Sequence, residues 1–353
     1  DALQFFDDIP AGPYKDPNLS LLRVDTAQGD PMGLFFAFGI HGTVLGGSNQ
    51  LWSGDAAGAV ELAVQERFSS PIVVGHLQLG GGDASPVGID DDFAQLESLG
   101  ELAADTIVAL WDATPTSSEP IHLETVTHSI DTSRDTIEVT RDGTTDLRYA
   151  PYDPDTPPDE ILYAEDGSIL SPIDEFNTQY GGAFCGEDIP LIPGVSIGST
   201  TYPYSSCVDV ETISWVIRGF FDLEEDQLQL PLPESLRAKT TASRLGPLQI
   251  REPDGSLSQD DVLLAFFPGE TTSMYTEQFR RRALAELGMS HVIPVGYAQD
   301  HEGYLMIPED WLTGGYEPNI NVWGPLQGEH IMEGVLDMSR RWLLTTNVVE
   351  PQD

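Results

Sequence analysis

The chain has 353 residues, 58 acidic and 16 basic side chains, and a formal net charge of −42. A surface of that sign repels phosphate backbones and anionic head groups, which excludes nucleic-acid binding and disfavours docking on acidic membranes. Apolar residues at 40% and aromatics at 9% suffice for a sizeable core, so the acidity is not a mark of disorder. No run approaches the roughly 18 apolar residues that span a bilayer, so a soluble protein is expected.

The sequence opens on Asp1 with no signal-peptide pattern, as expected of a processed product. Only Lys15 and Lys239 accompany fourteen arginines. That balance suits a protein that works in saline surroundings, and the expected location is outside the cytoplasm, secreted or at a cell surface or in a periplasm. An ordinary acidic secreted protein reads the same way. Cys185 and Cys207 lie 22 residues apart in a loop-rich stretch. A disulfide there fits an exported chain and would be worth roughly 3 kcal/mol; two free thiols are the alternative.

Apolar runs at Leu19–Val24 and Gly33–Ile40 predict strands around a turn at Gly29-Asp30-Pro31. Ser53 reads as an N-cap, and Ala56, Val60, Ala63 and Val64 share one face of a helix ending near Arg67. Pro71–Leu79 is a strand followed by Gly80-Gly81-Gly82-Asp83. The spacing of Phe93, Leu96, Leu99, Ala103, Ile107 and Leu110 predicts a helix over Asp90–Trp111. Residues 120–150 alternate about Asp142-Gly143, a hairpin signal. Residues 151–208 are rich in Pro, Gly, Asp and Tyr, so 112–240 reads as an elaborated insert or lid within a single domain over 1–353. Strands at Arg244–Arg251, Val262–Phe267 and His291–Ala298 follow. A helix through Tyr275, Phe279, Ala283 and Leu287 is closed by Gly288, and a final helix covers Glu329–Leu344. Interleaved strands and helices make the fold α/β, a mixed β-sheet core flanked by helices, with a loop-rich, partly β elaboration in the middle.

Open α/β sheets place their sites beyond the carboxyl ends of strands. There the sequence puts His41, the Asp83/Ser85 loop, Glu270, and Gln299-Asp300-His301 leading to Tyr304. Those are groups for metal binding and acid–base chemistry. Each has a plain alternative. His41 could bond a carbonyl, Gly80–Gly82 could be a turn or a weak phosphate cradle, and Glu270 could serve the dipole of the helix it precedes. Tyr304 and Tyr316 could be packing aromatics. Ser85 could be a catalytic serine, though no Gly-x-Ser-x-Gly elbow surrounds it.

Taken in order, several segments resemble the neutral ceramidases, secreted or surface zinc amidohydrolases that cleave the N-acyl bond of ceramide. Phe36-Ala37-Phe38-Gly39-Ile40-His41-Gly42-Thr43 is similar to the family's strand ending in a zinc histidine. Leu51-Trp52-Ser53-Gly54-Asp55-Ala56-Ala57-Gly58 is similar to its following Ser-Asp-x-x-Gly segment, and Gly82-Asp83-Ala84-Ser85-Pro86 to its Gly-Asp-Val-Ser-Pro-Asn signature. Pro268-Gly269-Glu270-Thr271-Thr272-Ser273-Met274 resembles its Pro-Gly-Glu-x-Thr-Thr-Met, and Tyr304, Tyr316-Glu317 and Trp323-Gly324-Pro325 fall in the order of its C-terminal tyrosines and Gly-Pro turn. The resemblance covers residues 19–95 and 244–335.

It implies a Zn²⁺ held by His41, Glu270 and Tyr304, activating water and polarising the amide carbonyl. Tyr316 would stabilise the oxyanion or carry a proton, with Asp83 and Ser85 in the catalytic signature loop. The family's early His-x-His segment has no counterpart here, nor has its C-terminal immunoglobulin-like domain. The implied partner is an N-terminal fragment of the same precursor that brings the missing ligand; alternatively the site is rebuilt with a residue such as His301. Val87 replaces the signature Asn, and Val44-Leu45 replaces a Ser-Met. The expected activity is zinc-dependent hydrolysis of an N-acyl lipid amide. The alternatives are a metal-independent serine hydrolase using Ser85, or a non-catalytic surface or assembly protein on the same scaffold.

Overall fold

The structure, a computed structural model, describes residues 14–46, 48–88, 92–133, 135–141, 145–148, 218–219, 222–224, 237–312, 316–319, 321 and 323–344. Cys185, Cys207, the Asp142-Gly143 turn and nearly all of 149–236 lie outside the described residues.

Strands β1 (Ser20–Asp25), β2 (Pro31–Phe38) and β3 (Val73–Gln78) form one sheet in that order, β1 antiparallel and β3 parallel to β2. The connection between the parallel strands is α1 (Asp55–Glu66). Alternation along β2 sends Leu34 and Phe36 inward and Phe35 out to solvent. The inward face meets α1 and α2 (Asp92–Ala113) in a core of Leu34, Phe36, Val60, Val64, Ile107 and Trp111.

Two local expectations are corrected here. Gly54, not Ser53, caps α1; the Ser53 hydroxyl instead accepts the Asp55 N–H at 2.9 Å. The buried stripe of α2 is Leu96, Gly100, Ala104, Ile107 and Trp111, while Phe93 is exposed. Gly100 causes the rotation. A Cβ there would stand 2.8 Å from the Ala59 carbonyl oxygen of α1, so the helices approach along small residues and the large ones turn aside.

The second sheet is β10 (His291–Val295), β8 (Leu257–Phe266), β7 (Arg237–Arg251) and β4 (His122–Asp131), in that order. β10 and β8 run parallel; the other pairs are antiparallel. β4 and the first residues of β7, read from sequence as insert, are thus strands of the core sheet. The hairpin is confined to β5 (Glu138–Arg141) and β6 (Thr145–Arg148). Helices α3 (Ser273–Leu287) and α6 (Gln327–Trp342) cover this sheet. Gly288 closes α3 with φ +71, a left-handed geometry that favours glycine. Phe267 sits at the base of the site, edge-to-face with Tyr275 (5.3 Å) and Phe279 (5.0 Å) of α3. Pairs of this kind contribute about 0.5–1.5 kcal/mol each beyond burial.

A third, minimal parallel pair joins β9 (Glu270–Thr271) to β11 (Tyr304–Leu305). Short helices α4 (Pro308–Leu312) and α5 (Tyr316–Asn319) follow. Among the described residues no helix is long and apolar enough to cross a membrane. Mixed sheets flanked by helices make the fold α/β, as the sequence pattern predicts.

Candidate active site

The two larger sheets meet at their carboxyl ends. The Gly296 N–H donates to the Gln78 carbonyl at 2.9 Å, the Thr271 hydroxyl to Leu79 O at 3.1 Å, and Gly82 N–H to Thr271 O at 2.9 Å. Gln78 reaches across with its amide to Ile40 O at 2.8 Å. These bonds place the ends of β2, β3, β8 and β10 side by side. Gly80 permits the closest approach: a Cβ would stand 2.6 Å from the Thr276 hydroxyl and 2.9 Å from Thr272 O. Buried Gly80–Gly82 are therefore a packing surface against β9 and α3, which removes the phosphate-cradle reading.

Glu270 is the hub. Its carboxylate lies 3.8 Å from His41 Nε2 and 3.4 Å from His301 Nε2, and it accepts the Tyr297 hydroxyl at 2.6 Å. The Tyr297 hydroxyl also stands 3.2 Å from His41 Nδ1, so one phenol bridges the histidine and the carboxylate. The parallel register sets Tyr304 beside Glu270. The Tyr304 ring is buried and lies 6.2 Å from the exposed ring of Tyr316, nearly perpendicular to it. Burial, then the Glu270 carboxylate, pushes the phenols of Tyr297 and Tyr304 above their ordinary value. Both hydroxyls therefore keep their protons in this arrangement.

The helix-dipole role proposed for Glu270 falls to another residue. The N-cap of α3 is Thr272, whose side chain makes no cap bond. Asp83 caps the helix from the neighbouring loop, accepting Ser273 N–H at 2.8 Å and the Ser273 hydroxyl at 2.9 Å. Lys15 donates to the Asp83 carbonyl and lies 3.7 Å from its carboxylate. With the helix end satisfied by Asp83, the Glu270 carboxylate is available to the histidines. Ser85 is exposed on the same loop, one residue beyond Ala84, whose carbonyl accepts the His41 N–H at 2.9 Å.

The structure thus brings His41, Glu270 and Tyr304 together, sets Tyr316 beside Tyr304, and engages Asp83 at the helix. Tyr297 was not foreseen. It follows Gly296 directly, and β10 ends at Val295 rather than Ala298, so a strand drawn three residues shorter would have exposed it. Its φ of +53 is left-handed in a residue that rarely adopts it, a local strain common at functional positions. Among the described residues, no three His, Cys, Asp or Glu side chains are grouped so as to hold a metal ion.

No protein-family model matches the chain, and no curated protein does. Solved structures are similar in fold. A neutral ceramidase from Pseudomonas aeruginosa shares a TM-score of 0.59 at 20% identity over 92% of this chain and 46% of that one. A ceramidase complexed with C2 gives 0.60 at 18% identity over 97% and 51%. The chain spans about half the length of these structures, and over that half its fold is that of the neutral ceramidase structures.

Proposed function

We propose that this chain is part of a zinc-dependent hydrolase that cleaves the amide bond of an N-acyl lipid. The observation that carries the reading is the Glu270 hub, with His41, Tyr297, His301 and Tyr304 around one carboxylate at the meeting of four strand ends. The fold likeness to ceramidase structures supports the same reading.

The donors fit zinc in kind: imidazole nitrogen and carboxylate oxygen are its ordinary ligands, and the Tyr304 oxygen, an uncommon one, would join them on losing its proton. His41, Glu270 and Tyr304 would hold it, and it would supply activation of water and polarisation of the scissile carbonyl. The protein's own contribution is orientation. Tyr297 fixes the His41 ring through Nδ1 and the Glu270 carboxylate through one hydroxyl. Tyr316, exposed and first in α5, would donate a hydrogen bond to the oxyanion or carry a proton.

The further ligand is assigned to a His-x-His segment on an N-terminal fragment of the same precursor. His301, at 3.4 Å from Glu270, is its rival for that place. The setting is outside the cytoplasm. The test pairs turnover of an N-acyl-sphingosine substrate with metal analysis by native mass spectrometry. Glu270→Gln and His41→Ala are expected to lose activity and bound zinc while keeping the wild-type circular dichroism. Full activity in either variant, or in chelated protein, would sink the metal reading.

A further inference from the structure

The chain carries about one charged residue in five, yet residues 39–54, from β2 to α1, contain no Asp, Glu, Lys or Arg. This loop begins beside the site, at His41, and ends with its apolar side chains in solvent. Trp52 is fully exposed and Leu51 is 70% exposed. On the adjoining loop, joined to it through His41 N–H and Ala84 O, Val87 is 88% exposed.

The loop is tied internally. The Asp55 carboxylate accepts the N–H groups of Val44 (3.0 Å) and Leu45 (2.9 Å), and Asp55 holds a left-handed φ of +49 to do so. Asn49 accepts Leu51 N–H at 3.1 Å and donates to Leu51 O at 2.9 Å. Leu51 and Trp52 are therefore presented by a backbone with its own hydrogen bonds.

We infer that this uncharged loop is an interfacial anchor: Leu51 and Trp52 enter the head-group region of a neutral or zwitterionic lipid surface and set the His41 end of the site at the boundary. Trp prefers that region because its ring is apolar and its N–H finds a polar partner. The net charge of −42 selects against anionic lipid, and the loop brings no charged side chain whose hydration would be lost at a neutral surface. A protein partner is disfavoured by size, since a stable protein interface buries on the order of 1,000 Å² or more, beyond what two side chains on one loop supply. The use of the anchor to draw an N-acyl lipid into the site rests on the proposed function; the anchor itself does not.

The test is co-sedimentation of the intact protein with phosphatidylcholine vesicles, with and without phosphatidylserine, for wild type and a Leu51→Ser/Trp52→Ala variant checked by circular dichroism. Wild type is expected to bind, more weakly as phosphatidylserine is added at low salt. The variant should bind at least about tenfold less, the factor corresponding to about 1.4 kcal/mol. Trp52→Phe should retain part of the binding. Failure of wild type to bind phosphatidylcholine, equal binding by the double variant, or protection of Trp52 from acrylamide before lipid is added, as by a covering polypeptide, would each overturn the anchor. Binding that depends on Trp52 in a protein that neither holds zinc nor turns over an N-acyl lipid when the N-terminal fragment is supplied would uphold the anchor and overturn the amidase reading.

Discussion

Replacing Asp83 separates a structural carboxylate from a chemical one. Its Oδ1 accepts both the N–H and the hydroxyl of fully buried Ser273, at 2.8 and 2.9 Å. Asp83→Ala leaves that N–H without a partner, which costs about 1–3 kcal/mol. Loss of an N-cap acceptor costs about 1 kcal/mol on the same bonds, so the two figures overlap and are not summed. The weakened ion pair with half-exposed Lys15 adds little, about 0.5 kcal/mol or less. The total of about 2–3 kcal/mol should lower the melting temperature by about 3–5 °C in a chain of this length. Asp83→Asn keeps an acceptor and loses only the charge at the helix end, about 0.5–1 kcal/mol. The assay is calorimetric melting beside turnover for both variants. The expected pattern is a graded melting loss, with the Asn variant within about threefold of wild-type activity. An Asn variant that melts like wild type but has lost about 100-fold or more in kcat, as expected on removing a general acid or base, would refute the structural assignment.

Tyr297→Phe keeps the ring and removes the hydroxyl between Glu270 and His41. It should lower kcat by about tenfold with KM nearly unchanged, and unchanged turnover would remove Tyr297 from the site. Gly80→Ala forces a methyl group into Thr276 and the Thr272 carbonyl, so a loss of about 2–3 kcal/mol in unfolding free energy and a fall in turnover are expected; a neutral result would mean the strand ends are loosely joined. Glu302 is 2% exposed, and burial pushes its carboxyl up to about 7 against the hydrogen bonds from Gln327 and Thr132. A raised acid is protonated in the folded state while the unfolded chain has already ionised, so this group lowers stability as pH rises from about 4.5 to about 7, by up to about 3 kcal/mol. Glu302→Gln offers a donor to the buried Gln327 Oε1, which has no partner among the described residues, and should raise the melting temperature at pH 8 while leaving it nearly unchanged at pH 4. A variant less stable at pH 8 would contradict that account.

Most strands and helices were legible because their patterns are local. β1, β2, β3, α1, α3 and α6 arise from alternation, 3.6-residue spacing and turn residues within each segment. The misreadings share one cause, a partner far along the chain. β4 was paired with its sequence neighbour, whereas its register runs from His122↔Gly246 to Asp131↔Arg237 in β7. The face of α2 is decided by Gly100 against α1, which the apolar spacing of α2 alone does not contain. β9 and β11 have two residues each and show no period.

The site follows the same division. The rule that sites gather after strand ends singled out His41, three residues past β2, and Glu270, four past β8, and it reached Tyr304 only through the segment that follows β10. It could not rank Asp83 and Glu270, two carboxylates at the approach to one helix. One side chain must satisfy the start of α3, and Asp83 does so from another loop. The other is then left among two histidines and a phenol with no helix to serve. The position of Glu270 beside the histidines thus follows from where Asp83 sits, through the close approach allowed at Gly80. The Asp83→Ala and Gly80→Ala variants therefore also bear on Glu270: both should disturb turnover through β9 without touching a reacting atom, whereas Asp83→Asn, which keeps the acceptor, should not.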